Sequence, residues 1–243
     1  DTEKTKVFLD PKAIGGYLPF GVQRIRTFDP TTGEASTRAF AKPDVGEAFF
    51  IPRELRHDAD GERWPRHLPG FRETVVEYFD ALETLSSRLL PAIATALGLP
   101  ADFFASYFDS EQSNTQLRLS HYPATPLEDD QYNTAPHCDG DFFTLLAQSV
   151  VPGLQLFDPS GEWVSAPARP GDLLMNCGEM LRIWSNDRLL STRHRVINSS
   201  GVDRYAIPFF YYPAPDTLIQ CLETCRDTEH PPRHEPIAVG AYS

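Results

Sequence analysis

Hydrophobic residues at helical spacing mark out one long segment: Val75, Phe79, Leu82, Leu89, Ile93 and Leu97 recur mostly three, four or seven apart, which aligns them along one face of a helix. The pattern predicts a helix over 64–100, from Trp64-Pro65 to Leu99-Pro100. Pro91 is expected to kink or split it, because a proline inside a helix removes a hydrogen bond and crowds the preceding turn. Gly98 followed by Pro100 supplies the stop. A short helix over 102–108 should follow. From Gln116 onward the period changes to short alternating or apolar runs, at 117–122, 142–148, 154–157, 163–166, 173–177, 192–198 and 204–212. Asp158-Pro159-Ser160-Gly161 and Arg169-Pro170-Gly171-Asp172 are turns between them. Many short strands separated by turns are what a barrel or jelly roll requires.

Upstream the text is mixed. Its one strand candidate is 22–27, where neither alternating face is cleanly apolar. The Pro-rich tail after Tyr212 reads as a loop-like cover. These patterns predict a mainly β chain with flanking helices: a helical and mixed portion, 1–115, buttressing a β-rich core, 116–243, as one structural unit.

At 243 residues and 41% hydrophobic content the chain can bury one sizeable core. A formal net charge of -12 repels nucleic acid and anionic membrane surfaces, so small molecules are the expected partners. No oligomeric state is legible. The four cysteines form no disulfide framework, and no apolar run spans a bilayer, so a reducing, cytoplasmic setting is expected. The chain opens at Asp1-Thr2-Glu3-Lys4 without an initiator Met, and residues preceding it are expected.

Candidate chemistry centres on Ala135-Pro136-His137-Cys138-Asp139-Gly140-Asp141, answered much later by Thr192-Arg193-His194-Arg195-Val196. In an extended segment His137 and Asp139 project to the same side and can grip one ion. With His194 as third ligand the set is two imidazoles and a carboxylate, that of non-haem Fe(II) oxygenases. A second grouping, Cys221, Cys225, His230 and His234, lacks a common zinc spacing, and reads as surface residues near a lid.

The order of several motifs extends the picture: His137 to Leu146, Gly153-Leu154-Gln155-Leu156, Asn176-Cys177-Gly178, Ser185-Asn186, His194-Arg195-Val196 and Arg204-Tyr205-Ala206-Ile207-Pro208-Phe209-Phe210, with Gly16-Tyr17, Trp64-Pro65 and Pro69-Gly70-Phe71-Arg72 upstream. Together they resemble the isopenicillin N synthase-like family of 2-oxoglutarate-dependent Fe(II) oxygenases. The resemblance implies a double-stranded β-helix, or jelly roll, holding Fe(II) through His137, Asp139 and His194, with 2-oxoglutarate and O2 as co-substrates. It implies that Arg204 pairs with the far carboxylate of 2-oxoglutarate, a task that suits a planar guanidinium. Tyr122 reads either as a hydroxyl donor to the same carboxylate or as a core tyrosine. Two residues depart from the family pattern: Ala206 stands where Ser is usual, and Ser120, in the expected co-substrate site, where Asn is usual. By position Arg118, Cys138, Phe142, Phe210 and Tyr212 resemble substrate-side residues. Phe142 and Phe210 read equally well as core, and Cys138 as a small packed residue.

The implied function is oxidation of a small organic molecule, by hydroxylation, desaturation or cyclisation, in specialised metabolism. A same-fold Fe(II) oxidase that does without 2-oxoglutarate and a catalytically silent jelly-roll binding module are the alternatives. A zinc hydrolase on the same ligands would leave Arg204 without purpose.

Overall fold

A computed structural model describes residues 4–7, 15–23, 42–58, 61–108, 111, 113–167 and 169–242. Its strands are β1 (Gly16–Leu18), β2 (Glu47–Pro52), β3 (Gln116–Tyr122), β4 (Thr134–His137), β5 (Phe143–Gln148), β6 (Leu154–Phe157), β7 (Trp163–Ser165), β8 (Leu173–Cys177), β9 (His194–Val196), β10 (Arg204–Tyr211), β11 (Leu218–Ile219) and β12 (Ile237–Ala238). The helices are α1 (Phe71–Ala96), α2 (Ala105–Phe108), α3 (Glu179–Trp184) and α4 (Val239–Tyr242).

Alternation along the strands builds two antiparallel sheets. The larger runs β1-β2-β3-β10-β5-β8 and the smaller β4-β9-β6-β7, together a double-stranded β-helix. On β10, Phe209 and Tyr211 are buried on one side in the main core, while Arg204, Ala206, Pro208 and Phe210 line a cavity on the other. Pro208 sits in a central strand, where its lack of an N–H is a liability. The β10–β3 pairing accordingly lapses between Ala206 and Phe209, although the register resumes unchanged.

Helix α1 covers the outer face of the large sheet, with the Phe79 ring 5.0 Å from that of Phe209 and nearly perpendicular to it. Val75, Phe79, Leu82, Leu90 and Ala94 are buried, each large apolar side chain contributing roughly 1.5–3 kcal/mol. The helix is shorter than its periodicity predicts. It begins at Phe71 because Gly70 adopts φ 79°, a left-handed conformation that ends the preceding turns. Pro91 lies within α1 without splitting it. Beyond Leu82 the buried stripe passes through Ser86, Leu90 and Ala94, leaving Leu89 and Ile93 half-buried. Leu90 and Ala94, on either side of Pro91, hold that end to the core.

The amino-terminal portion contributes β1 and β2 to the large sheet, which the mixed pattern there did not reveal. Of the predicted strand at 22–27, Val22 is in a turn and 24–27 lie outside the described residues. The tail is more than a loop-like cover: Ile219, Leu222, Cys225 and Val239 are buried in the main core, and β11 pairs with β12. Asn186 clamps it, donating to the carbonyls of Cys225 and Pro231 at 3.2 Å each and accepting from the Arg233 N–H at 2.9 Å. No described helix is long and apolar enough to cross a membrane.

Candidate metal centre

Strand pairing brings the two histidines together. His137 ends β4, His194 begins β9, and the two are direct cross-strand partners, with ring centroids 4.2 Å apart. Each ring is oriented by its own chain: Nδ1 of His137 lies 2.8 Å from the Ala135 carbonyl, and Nδ1 of His194 lies 3.0 Å from that of Thr192. A carbonyl only accepts, so Nδ1 carries the proton in both and Nε2 is left with its lone pair free. Asp139 lies just past the end of β4, in the loop that leads to β5. Its Oδ1 is 3.5 Å from Nε2 of His137 and 3.6 Å from Nε2 of His194. All three ligand atoms fall within 4.8 Å of one another, the one such group among the described residues.

The other carboxylate oxygen is fixed by the neighbouring strands. Asp139 Oδ2 accepts from Thr144 Oγ1 of β5 at 2.6 Å and from Asn176 Nδ2 of β8 at 2.7 Å. Burial works against the charge on Asp139, but the adjacent imidazoles and these donors outweigh it and hold the group well below the usual carboxylate range. Thr144 Oγ1 also lies 2.8 Å from Asp141 Oδ2. A hydroxyl has one proton to give, so Thr144 donates to Asp139 and accepts from a protonated Asp141. Burial, followed by the charge on Asp139, pushes Asp141 far above the usual range, which is the state this chain of bonds needs. A Cβ on Gly178 would collide with the Asp141 carbonyl and carboxyl groups, so only glycine fits there. Burial lowers the pKa of His194 and favours its neutral, ligating form.

His137, Asp139, Thr144, Asn176 and His194 form one wall of a cavity between the two sheets. On another wall is Arg204, only 1% exposed. Its Nη2 reaches Gln148 Oε1 at 3.3 Å, its Nε and Nη1 have no hydrogen-bond partner, and it pairs with no described carboxylate. Its guanidinium lies 5.4 Å from the Tyr122 ring centroid. Gly153 allows this placement: a Cβ there would lie 3.0 Å from Arg204 Cδ, and the glycine has φ 154°. A buried cation with two unsatisfied groups fits an anionic ligand, because leaving each donor unpaired costs about 1–3 kcal/mol. Leu146, Leu154, Leu156, Leu174 and Val196 supply the apolar lining.

The predicted substrate-side residues separate. Arg118 and Phe210 line the cavity. Arg118 donates to Gln23 Oε1 at 2.7 Å and lies 5.0 Å from the Phe50 ring, with its Nε unpaired. Phe142 is fully buried in an aromatic cluster, 5.0 Å from Phe104 and from Phe108; it turns to the core because it directly precedes β5 on the side facing α2 and α3. Phe142→Ala should therefore cost about 3–5 kcal/mol of stability, read in a denaturant titration, with no selective change in ligand affinity. Cys138 gives its thiol hydrogen to the Ser191 carbonyl at 3.5 Å, and burial pushes its pKa up to about 11, opposite to what a ligating thiolate needs. Tyr212 packs against the main core, its N–H bonded to Thr115 Oγ1. Tyr122 lines the cavity, its hydroxyl accepting from Thr134 at 3.2 Å. Cys221, Cys225, His230 and His234 do not converge. His234 bonds Asp187 at 2.8 Å, and His230 bonds Asp227.

Asp44 was not legible as a site residue. It is buried, accepts from the Ala135 N–H at 3.1 Å and so steadies the segment carrying His137; burial pushes its pKa up to about 6. Thr144 and Asn176 stand inside recognisable motifs, but nothing in those motifs shows that their side chains turn to Asp139, five and 37 residues away.

The model of the 2OG-Fe(II) oxygenase superfamily matches residues 113–213. The 2-oxoglutarate-Fe(II) type oxidoreductase hxnY of Emericella nidulans is 34% identical over 222 residues, 82% of this chain, and the chain spans 63% of that relative's length. A full-length Neurospora crassa protein crystallised in complex with alpha-KG superposes with a TM-score of 0.83 at 30% identity, over 100% of this chain and 75% of that one. JOX2 in complex with 2OG, Fe and JA gives 0.82 at 29% identity, over 99% and 67%.

Proposed function

The chain belongs to the 2OG-Fe(II) oxygenase superfamily, and from that premise we propose that it is a 2-oxoglutarate-dependent dioxygenase acting on a small organic molecule. The observation that carries this reading is the convergence of His137 Nε2, Asp139 Oδ1 and His194 Nε2 in a cavity that also buries the unpaired guanidinium of Arg204. When bound, Fe(II) supplies the oxidising chemistry, with O2 oxidising the substrate as 2-oxoglutarate is converted to succinate and CO2.

His137, Asp139 and His194 would hold the metal on one face and leave the opposite positions open. Thr144 and Asn176 keep Asp139 ionised and aimed, and the Ala135 and Thr192 carbonyls keep both imidazoles in the ligating tautomer. Arg204 and Tyr122 would take the far carboxylate of the co-substrate. The leucines and Val196 exclude water from the reacting positions. Arg118 and Phe210 would face the substrate, a cation and a flat ring suited to an organic molecule with a carboxylate or phenol on an apolar body. An oxidase that did without 2-oxoglutarate would leave Arg204 buried and unpaired. We place the protein in a reducing, cytoplasmic setting, in keeping with its four free cysteines, and read 1–115 and 116–243 as one working unit.

The test is anaerobic. Fe(II)-loaded protein should develop a visible charge-transfer band on addition of 2-oxoglutarate, then release succinate in air, faster with carboxylate-bearing aromatic or alicyclic compounds than with their neutral esters. Absence of both the band and succinate would overturn the reading.

A further inference from the structure

The loop that carries Asp139 rests on the first turn of α3. The Gly178 N–H donates to the Phe142 carbonyl at 3.0 Å, the Glu179 N–H to the Asp139 carbonyl at 2.8 Å and the Met180 N–H to the Asp141 carbonyl at 3.1 Å. α3 has six residues, and isolated helices are marginal below about 12–15 residues, so its orientation depends on what its side chains meet. Met180, Leu181, Ile183 and Trp184 are buried in the main core. On the polar side Arg182 bonds both carboxylate oxygens of Glu179, the shortest contact being 2.7 Å, and its Nη1 donates to Asp187 Oδ1 at 2.6 Å. Two groups of the tail reach the same carboxylate. His234 Nε2 donates to Asp187 Oδ1 at 2.8 Å, and Arg233 Nη1 lies 2.9 Å from Oδ2. Burial works against the charge on Asp187, but the bonds from His234 and Arg182 outweigh it and hold the carboxyl below the usual range. Asn186 and Asp187 have φ 54° and 64°, the left-handed region that glycine enters freely and most other residues avoid. A turn alone would favour glycine at 187, so the aspartate carries a backbone cost that its side-chain bonds offset.

We propose that Asp187 is a positioning residue for the metal-binding loop: together with Arg233 and His234 of the tail it fixes Arg182 and Glu179, and so sets the turn of α3 from which the backbone of Asp139 to Phe142 hangs. This rests on the reading of His137, Asp139 and His194 as the metal centre. Asp187 does not line the cavity. It acts on the backbone of a ligand residue, whereas Thr144 and Asn176 act on that ligand's carboxylate. The tail thereby becomes part of the apparatus that retains the metal, and undocking of residues 231–234 loosens Asp139 with the ligand set unchanged.

The experiment pairs hydrogen exchange on metal-free protein with release of Fe(II) to a chromogenic chelator from anaerobically loaded protein. Asp187→Gly suits the turn and removes the carboxylate. It should speed exchange of the 178–180 amides about tenfold while leaving β5 and β10 within about twofold of wild type. It should also speed Fe(II) release about tenfold or more, the scale on which outer partners of metal ligands act. Asp187→Asn keeps an oxygen for Arg182 and His234 and should stay within about threefold of wild type in both measurements. Replacing Arg233 and His234 together by Ala should shift both in the direction of Asp187→Gly, by about threefold or more. Wild-type behaviour of Asp187→Gly in either measurement overturns the proposal, as does acceleration that extends equally to β5 and β10, the mark of a merely global loss of stability. Failure of Asp187→Asn to restore the wild-type rates, or a tail variant indistinguishable from wild type, overturns it too. Should Asp187→Gly not fold, the tail variant is held to the same comparison. Wild-type protein that takes up no Fe(II) would bring down the functional reading itself, an outcome separable from one in which wild type holds iron and Asp187→Gly holds it equally well.

Discussion

His194→Ala should leave the protein folded and unable to hold its metal. The ring sits at the start of β9 and touches the site through Nε2, while the pairing of β4, β9 and β6 rests on backbone bonds that alanine keeps. Loss of an outer partner of a ligand typically costs about 10–100-fold in metal affinity or activity, so loss of a ligand should cost more than about 100-fold. Two ligands remain, the Asp139 carboxylate and the His137 imidazole. Metal analysis after anaerobic loading with Fe(II), beside circular dichroism, checks both halves. The expected result is a wild-type spectrum with iron near background. Equal iron content in the variant and wild type would sink the assignment of His194.

Arg204→Met should weaken 2-oxoglutarate binding by at least about 30-fold while leaving iron binding intact and the unliganded fold no less stable. The guanidinium is buried, has two unsatisfied nitrogen groups and faces no described carboxylate, so its removal relieves an uncompensated buried charge that apolar residues commonly replace without loss. A hydrogen-bonded charge pair at a buried site is a different matter, since truncating one partner costs about 2–5 kcal/mol. On that scale 2-oxoglutarate affinity should fall by about 30-fold to several thousand-fold. Thermal melting with and without ligand separates the two effects. Wild type at about 100 times its Kd should gain about 2.7 kcal/mol, whereas Arg204→Met at the same concentration should gain at most about 0.9 kcal/mol and melt no lower than unliganded wild type. A variant that still binds 2-oxoglutarate normally would remove Arg204 from the site.

Much of this could be read along the chain, for reasons that differ by element. Strands such as β5, β6 and β8 alternate or run apolar over their own length, so local pattern suffices. β4 and α3 are too short and too polar or mixed to announce themselves; β4 exists because its backbone pairs with β9, and α3 because its apolar residues meet the rings of Phe104 and Phe142. The buried stripe of α1 continues at helical spacing through Ser86, Leu90 and Ala94, and an apolar pattern loses it at Ser86 because a buried serine carries no hydrophobic signal. Phe142 shows the same limit. Standing next to the metal-binding segment in sequence, it faces the aromatic core in space.

What the sequence by itself determined was the candidate ligand set: residue type and order mark His137, Asp139, His194 and Arg204, because metal chemistry and carboxylate recognition demand particular atoms. The tertiary structure alone decided which neighbours make those atoms work. Cross-strand register sets the two imidazoles side by side, brings Thr144 and Asn176 to Asp139 from separate strands, and leaves Nε and Nη1 of Arg204 without partners in the cavity. The His137–His194 and Asn176–Asp139 contacts join residues far apart in the chain, and only the pairing of strands brings them together.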